Sequence, residues 1–203
     1  NAAGATGLGN IRVGIYLEGS SANNLIGGTT AGQGNTVAYN GIMGVGAACR
    51  TDITGNRILG NSIYANAELG IDLCFGSSVS ANDTGDADTG PNNYQNYPVL
   101  TNASGTSSAI TIAGTLNSKA SRTYRIEFFA STAQNGTGYG PGQVYLGTTD
   151  VTTNGSGNAS FTTTLAMAVV NGAYISATAT DLTTNDTSEF SANWQARIVD
   201  HYL

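Results

Sequence analysis

A short glycine-led motif occurs three times in the first third of the chain. Gly14-Ile15-Tyr16-Leu17 recurs as Gly41-Ile42-Met43-Gly44-Val45 and again as Gly70-Ile71-Asp72-Leu73, at intervals of 27 and 29 residues. Between the recurrences lie units of Asn followed by alternating apolar residues: Asn24-Leu25-Ile26-Gly27, Asn35-Thr36-Val37, Asn56-Arg57-Ile58-Leu59-Gly60 and Asn61-Ser62-Ile63-Tyr64. Each apolar run is two to four residues and ends in Gly or Asn, too short for a helix of ~10 residues or more but suited to strands. Self-similarity at a period of this length is the signature of a stacked repeat architecture.

Three short strands per repeat, joined by tight bends, describe one coil of a right-handed parallel β-helix. Asn and Gly tolerate the left-handed backbone that such bends require. Stacked Asn side chains can hydrogen-bond from coil to coil. Two full coils and the start of a third span residues 10–79, and residues 1–80 form the expected first unit. Asn1 to Val13 reads as a degenerate earlier coil and not as a polar cap. Two coils are few for a repeat array, so the upper end is expected to meet further coils or another protomer. Cys49 and Cys74 lie 25 residues apart, close to one coil. Residues one coil apart stack ~5 Å from each other, within disulfide reach; the alternative is two buried thiols behaving as small apolar groups.

Residues 81–96 form an acidic junction. Asn82-Asp83-Thr84-Gly85-Asp86-Ala87-Asp88-Thr89-Gly90-Pro91-Asn92-Asn93 is dense in oxygen ligands of the kind calcium requires. Asp83, Asp86 and Asp88, with Asn82 or Asn92, are the candidate ligands. The loop lacks the full spacing of a helix-loop-helix calcium site, and a turn-rich connector satisfied by its own Asx-turns is the competing expectation. Asp181, Asp186 and Glu189 make a second, weaker candidate.

From 97 to 203 the texture changes to regular strands separated by Gly, Asn and Ser turns. Expected strands are Tyr97–Ala103, Ala109–Leu116, Thr123–Ser131, Gln143–Val151, Ala159–Leu165, Ala173–Asp181 and Glu189–Val199, with Asn154–Asn158 a hairpin turn. Seven strands over ~100 residues predict an immunoglobulin-like or fibronectin-III-like β-sandwich, making the whole chain all-β. The Gly-rich loop from Ala133 to Gly142 reads either as a partner-contacting loop or as a mobile connection.

Gly70-Ile71-Asp72-Leu73, the acidic junction, Gln95-Asn96-Tyr97-Pro98-Val99-Leu100 and the strand Ile110-Thr111-Ile112-Ala113-Gly114-Thr115-Leu116 together resemble the carboxy-terminal region of bacterial secreted right-handed parallel β-helix repeat proteins. Tyr124-Arg125-Ile126-Glu127-Phe128-Phe129-Ala130 and Thr187-Ser188-Glu189-Phe190-Ser191 resemble it too. The resemblance implies an extracellular or cell-surface location and an adhesive or structural role, and it fixes no reaction.

Charge narrows the function classes. Lys and Arg number 7 against 13 Asp and Glu, a net charge of −6, and Lys119 is the single lysine. A polyanion would meet repulsion, so nucleic acid is not an expected partner, and no apolar run approaches the ~18 residues of a membrane span. The start at Asn1 leads to the expectation of a processed or excised chain. A polysaccharide lyase or hydrolase is the enzymatic alternative. Its candidate groups are Arg12, Arg50 and Arg57 with Glu18, Asp52, Glu68 and Asp72, but Arg50 and Asp52 read better as a surface ion pair. The only histidine, His201, stands at the extreme end, which removes histidine-based triads. No catalytic residue and no cofactor other than calcium is therefore expected. The expected partners are the chain itself, head to tail through open coil ends, further coils, or a surface glycan.

Overall fold

The computed structural model describes residues 8–76 and 78–199. They are all-β: no α-helix is present among them, and the strands form several sheets, none closed into a barrel. His201 and residues 1–7 lie outside the described residues.

The amino-terminal part is a stack of short parallel ladders. β1 (Ile15–Leu17), β4 (Val45–Ala47) and β7 (Ile71–Asp72) form one ladder in that order. β2 (Leu25–Gly27) pairs with β5 (Arg57–Leu59), and β3 (Thr36–Ala38) pairs with β6 (Ser62–Tyr64). The chain visits the three ladders in turn, and their inward residues Leu17, Ile26, Val37, Val45, Ile58, Ile63 and Ile71 share one core. At about 1.5–3 kcal/mol for each fully buried aliphatic side chain, this column is the main favourable contribution to the stack.

Register differs from the sequence reading. Ile15 lies opposite Val45, so the partner of Gly14 is Gly44 and not Gly41. A Cβ on Gly14 would lie 2.6 Å from the Gly44 carbonyl oxygen, and one on Gly44 would lie 2.6 Å from that of Gly70. Glycine recurs here because one coil presses on the next. Coil length is also uneven: laddered Asn pairs are separated by 30 residues at Asn10–Asn40, 32 at Asn24–Asn56 and 26 at both Asn35–Asn61 and Asn40–Asn66. The loops absorb the difference.

Asn stacking holds the bends together. Asn61 Oδ1 accepts from both the backbone N–H and the Nδ2 of Asn35 at 3.0 Å, while its own Nδ2 donates to the Ile26 carbonyl at 2.8 Å. Asn56 beneath Asn24, and Asn66 beneath Asn40, repeat the arrangement. Asn10 continues the last column upward, donating its N–H to Asn40 Oδ1. The left-handed residue is mostly the one before the laddered Asn, and it includes Tyr39 and Ala65 as well as Asn23, Gly55 and Gly60. Cys49 and Cys74 are joined in a disulfide, bridging neighbouring coils beside β4 and β7.

The carboxy-terminal part is two four-stranded sheets. One has the order β11 (Val144–Thr152), β10 (Thr123–Ser131), β13 (Tyr174–Asp181), β14 (Trp194–Gln195). The other has the order β12 (Asn158–Leu165), β9 (Ala109–Asn117), β8 (Val99–Thr106), β15 (Arg197–Ile198). Ile110, Ile112 and Phe161 from the second sheet meet Ile126, Phe128, Ile175 and Ala177 from the first in a single core. Asn154–Asn158 has turn hydrogen bonding, yet it joins edge strands of different sheets and is an arch, not a hairpin. The expected strand Glu189–Val199 is instead two short ones: β14 pairs antiparallel with β13, and β15 pairs parallel with β8. Ala196, buried between them, marks the crossing between sheets.

β10 and β13 are buried on both faces. Their outer face carries Glu127, Phe129 and Thr178 and lies against the coil stack, where Phe129 and Phe190 complete the apolar column. The order of layers is thus coil stack, first sheet, second sheet.

Replacing Asn61 by Ala removes one acceptor serving two donors and one donor to a buried carbonyl. Urea unfolding should show a loss of about 2–4 kcal/mol, while Thr30→Ala on an exposed loop should stay within about 0.5 kcal/mol. Cys74→Ser should cost roughly 3 kcal/mol, given a closed loop of this length.

Candidate functional site

The last coil presents backbone N–H groups with no further coil below. Side chains from the rest of the chain meet them one by one. Gly55 N–H donates to Asp186 Oδ1 at 2.6 Å, Asn56 N–H to Asn92 Oδ1 at 3.0 Å, and Ile58 N–H to Thr187 Oγ1 at 3.0 Å. Gly60 N–H donates to Glu127 Oε2 at 2.8 Å and Leu73 N–H to Glu189 Oε1 at 2.8 Å. Ile63 and Gly142 exchange two backbone bonds at 2.8 Å. Phe190 lies beneath Gly70, where a Cβ on that glycine would come within 2.9 Å of the ring. The lower end of the stack is therefore capped.

This cap accounts for several residues that the sequence placed elsewhere. Asn92, expected as a calcium ligand, is the bottom rung of the Asn24–Asn56 column, and its Nδ2 donates to the carbonyls of Asn56 and Thr187. Asn82 is paired with the backbone of Tyr97, accepting its N–H and donating to its carbonyl. The second acidic set is also structural. Asp181 pairs with Arg122 at 2.9 Å and receives the Thr183 N–H, Asp186 holds Gly55 and Asn93, and Glu189 holds Leu73 and Ser80. The loop from Ala133 to Gly142 is anchored to the stack through Asn135 Nδ2, which donates to the Glu68 carbonyl, and through Gly142.

Asp83, Asp86 and Asp88 do converge: one carboxylate oxygen from each lies within 4.8 Å of the others. Asp86 is buried, accepts from the Asn96 N–H and the Ser118 hydroxyl, and is pushed up to about 6 by burial. Burial, and then the nearby Asp83, also raise Asp88, whose Oδ1 is buried without a hydrogen bond among the described residues. Such a set of hard oxygens can hold a metal ion. Lys119 Nζ lies 2.7 Å from the Asp86 carbonyl and supplies a fixed positive charge at one side.

Four of the candidate catalytic groups, Arg50, Asp52, Asp72 and Arg12, have structural partners. Arg50 and Asp52 form an exposed ion pair at 2.7 Å, as the spacing predicted, and Asp72 is turned onto the N–H groups of Cys74 and Gly76. Arg12 lies over the Phe75 ring at 5.8 Å. Among the described residues no helix is long and apolar enough to cross a membrane. The disulfide is compatible with an oxidising, extracellular compartment. The chain matches no protein-family model and no curated protein sequence.

Sequence reasoning missed Glu127 and Thr187. The signal for Glu127 was present: it shares an alternation face with Phe129 in Thr123–Ser131, and an acid beside a large apolar residue on the outer face of a strand implies a second layer there.

Burial raises Glu189 from 4.5 to about 8, and no cation among the described residues faces it. The folded chain therefore holds a proton that the unfolded chain releases between about pH 4.5 and 8, so folding stability falls as pH rises through that window and levels above it. Thermal unfolding at pH 5, 7 and 9 should show this decline, and Glu189→Gln should flatten it.

Proposed function

We propose that this chain is the terminal, non-catalytic module of an extracellular structural or adhesive protein of a bacterial surface. In this reading the amino-terminal ladders are coils of a right-handed parallel β-helix, and an immunoglobulin-like sandwich closes one end of it. The observation that carries the reading is the asymmetry of the stack. The lower edge is met by Asp186, Asn92, Thr187, Glu127 and Glu189. The upper edge, formed by β1, β2 and β3, has no neighbouring strand among the described residues. Leu8, Ile11 and Leu25, which belong to the uppermost described coil, are exposed.

Open strand edges with apolar side chains recruit a partner. Head-to-tail association of copies needs a free lower edge, which the sandwich occupies. Further coils of the same repeat, each with Asn at the ladder positions, satisfy the upper edge without that requirement. The resemblance to secreted β-helix repeat proteins agrees with this role, and so does the disulfide. The exposed Arg50–Asp52 pair offers no lyase chemistry in return. The Asp83–Asp86–Asp88 cluster serves this module as a structural calcium site at the junction.

A chain carrying a second copy of residues 41–66 ahead of residue 10 tests the role. It should unfold at a higher urea concentration than the parent and remain monomeric in sedimentation velocity. An extended chain no more stable than the parent, or a parent that polymerises with rising concentration, would refute the module reading. Calcium should raise the melting temperature at pH 8 and do so less at pH 5.5, where Asp86 becomes protonated. Asp88→Asn should remove the effect, and a melting temperature indifferent to calcium and to chelator would exclude the ion.

A further inference from the structure

One cleft is walled by both halves of the molecule. Its volume is about 240 Å³, and Tyr39, Tyr64, Glu68, Gln134, Asn135 and Gln143 line it. The stack contributes the two tyrosines. Tyr64 ends β6 opposite Ala38, the last residue of β3, and its ring meets that of the next residue, Tyr39, edge to face at 5.7 Å and 73°. The opposite wall is the connection between β10 and β11. That wall is fixed, because Asn135 holds the Glu68 carbonyl, Ser62 Oγ donates to the Gln143 carbonyl at 2.6 Å, and Ser131 Oγ donates to the Pro141 carbonyl at 3.1 Å.

The chemistry of these walls is specific. Half-buried phenol rings offer apolar faces with polar tips. Carboxamides and a carboxylate both accept or bridge pairs of neighbouring hydroxyls. Among the described residues Glu68 is the only ionisable lining group besides the two tyrosines, and the chain as a whole carries −6, which disfavours an anionic ligand. The volume lies below the ~300–1,000 Å³ of drug-sized ligand sites, so the space suits a single ring.

We propose that this cleft binds one uncharged sugar residue of a glycan, with a C–H face of the ring against Tyr39 and Tyr64 and its hydroxyls on Glu68 and Gln134. The site gives the expected glycan contact a definite place and does not rest on the reading of the chain as a terminal module. Its walls are fixed before the sugar arrives, so little ordering cost is left to binding.

The test is saturation-transfer NMR on the full chain with methyl hexosides and N-acetylhexosaminides, alongside an aminohexoside and a hexuronate as charged probes. At least one neutral glycoside should show transfer, with a dissociation constant on the order of 1 mM. Gln134 is exposed, and Gln134→Ala should weaken binding about 3–10-fold, as loss of one hydrogen bond does, with an unchanged melting temperature. Glu68→Gln, which keeps a carbonyl acceptor, should stay within about 3-fold of the parent. Absence of transfer from every neutral glycoside would overturn the proposal. So would transfer confined to the aminohexoside and lost in Glu68→Gln, since the cleft would then be an amine site. Transfer indifferent to both Gln134→Ala and Tyr64→Leu would place the sugar elsewhere and equally overturn it.

Discussion

Unpaired backbone at the end of a strand stack is the constraint on which this structure depends. Inside such a stack each coil supplies hydrogen-bond partners to the next, but the last coil has none. Here a set of side chains takes the place of the missing coil, reaching Gly55, Asn56, Ile58, Gly60 and Leu73 from positions far away in sequence. A buried N–H left without a partner costs about 1–3 kcal/mol. Five of them would cost on the order of 5–15 kcal/mol, as much as the whole stability of a typical domain. The stack and the two sheets are therefore one folding problem, and the sheet of β10 and β13 is a shared wall, not an independent surface.

The same need accounts for three acids that lie outside the 81–96 junction. Backbone N–H groups call for acceptors, and Asp186, Glu127 and Glu189 are acceptors on side chains long enough to reach an edge. Burial raises both glutamates, but their counter-charges differ. Glu127 has Arg125 at 2.9 Å as a counter-charge, while Glu189 has the N–H groups of Leu73 and Ser80 but no cation among the described residues, and it is pushed up to about 8. Stability at the cap is thus tied to protonation, and an excess of acids over bases in the sequence reflects a structural demand as much as a surface property.

The sequence made the local elements legible and left the long-range ones hidden. Short β runs between Gly and Asn bends were readable because period and turn chemistry act within a few residues, and Thr123–Ser131 was placed to the residue. Register was not, because Gly41-Ile42 and Gly44-Val45 are equivalent in composition, and only the contact between Gly14 and the Gly44 carbonyl separates them. Asn92 was assigned to a cation because its neighbours are acidic, whereas its fate is set by Asn56, 36 residues earlier in the chain. The Asn154–Asn158 turn has hairpin chemistry in either arrangement. Which sheets its flanking strands join is decided by the core formed by Phe161, Ile126 and their neighbours. Asp83, Asp86 and Asp88 were grouped correctly, since spacing within one loop brings them together.

Native-state hydrogen exchange measures the capping directly. The amides of Gly55, Asn56, Ile58, Gly60 and Leu73 should exchange as slowly as those of Ile126 and Ile175 at the centre of the shared sheet, and Asp186→Ala should release Gly55 without releasing Ile175. Fast exchange at all five capped amides, with protection retained only in the two four-stranded sheets, would contradict the claim that the carboxy-terminal half completes the stack.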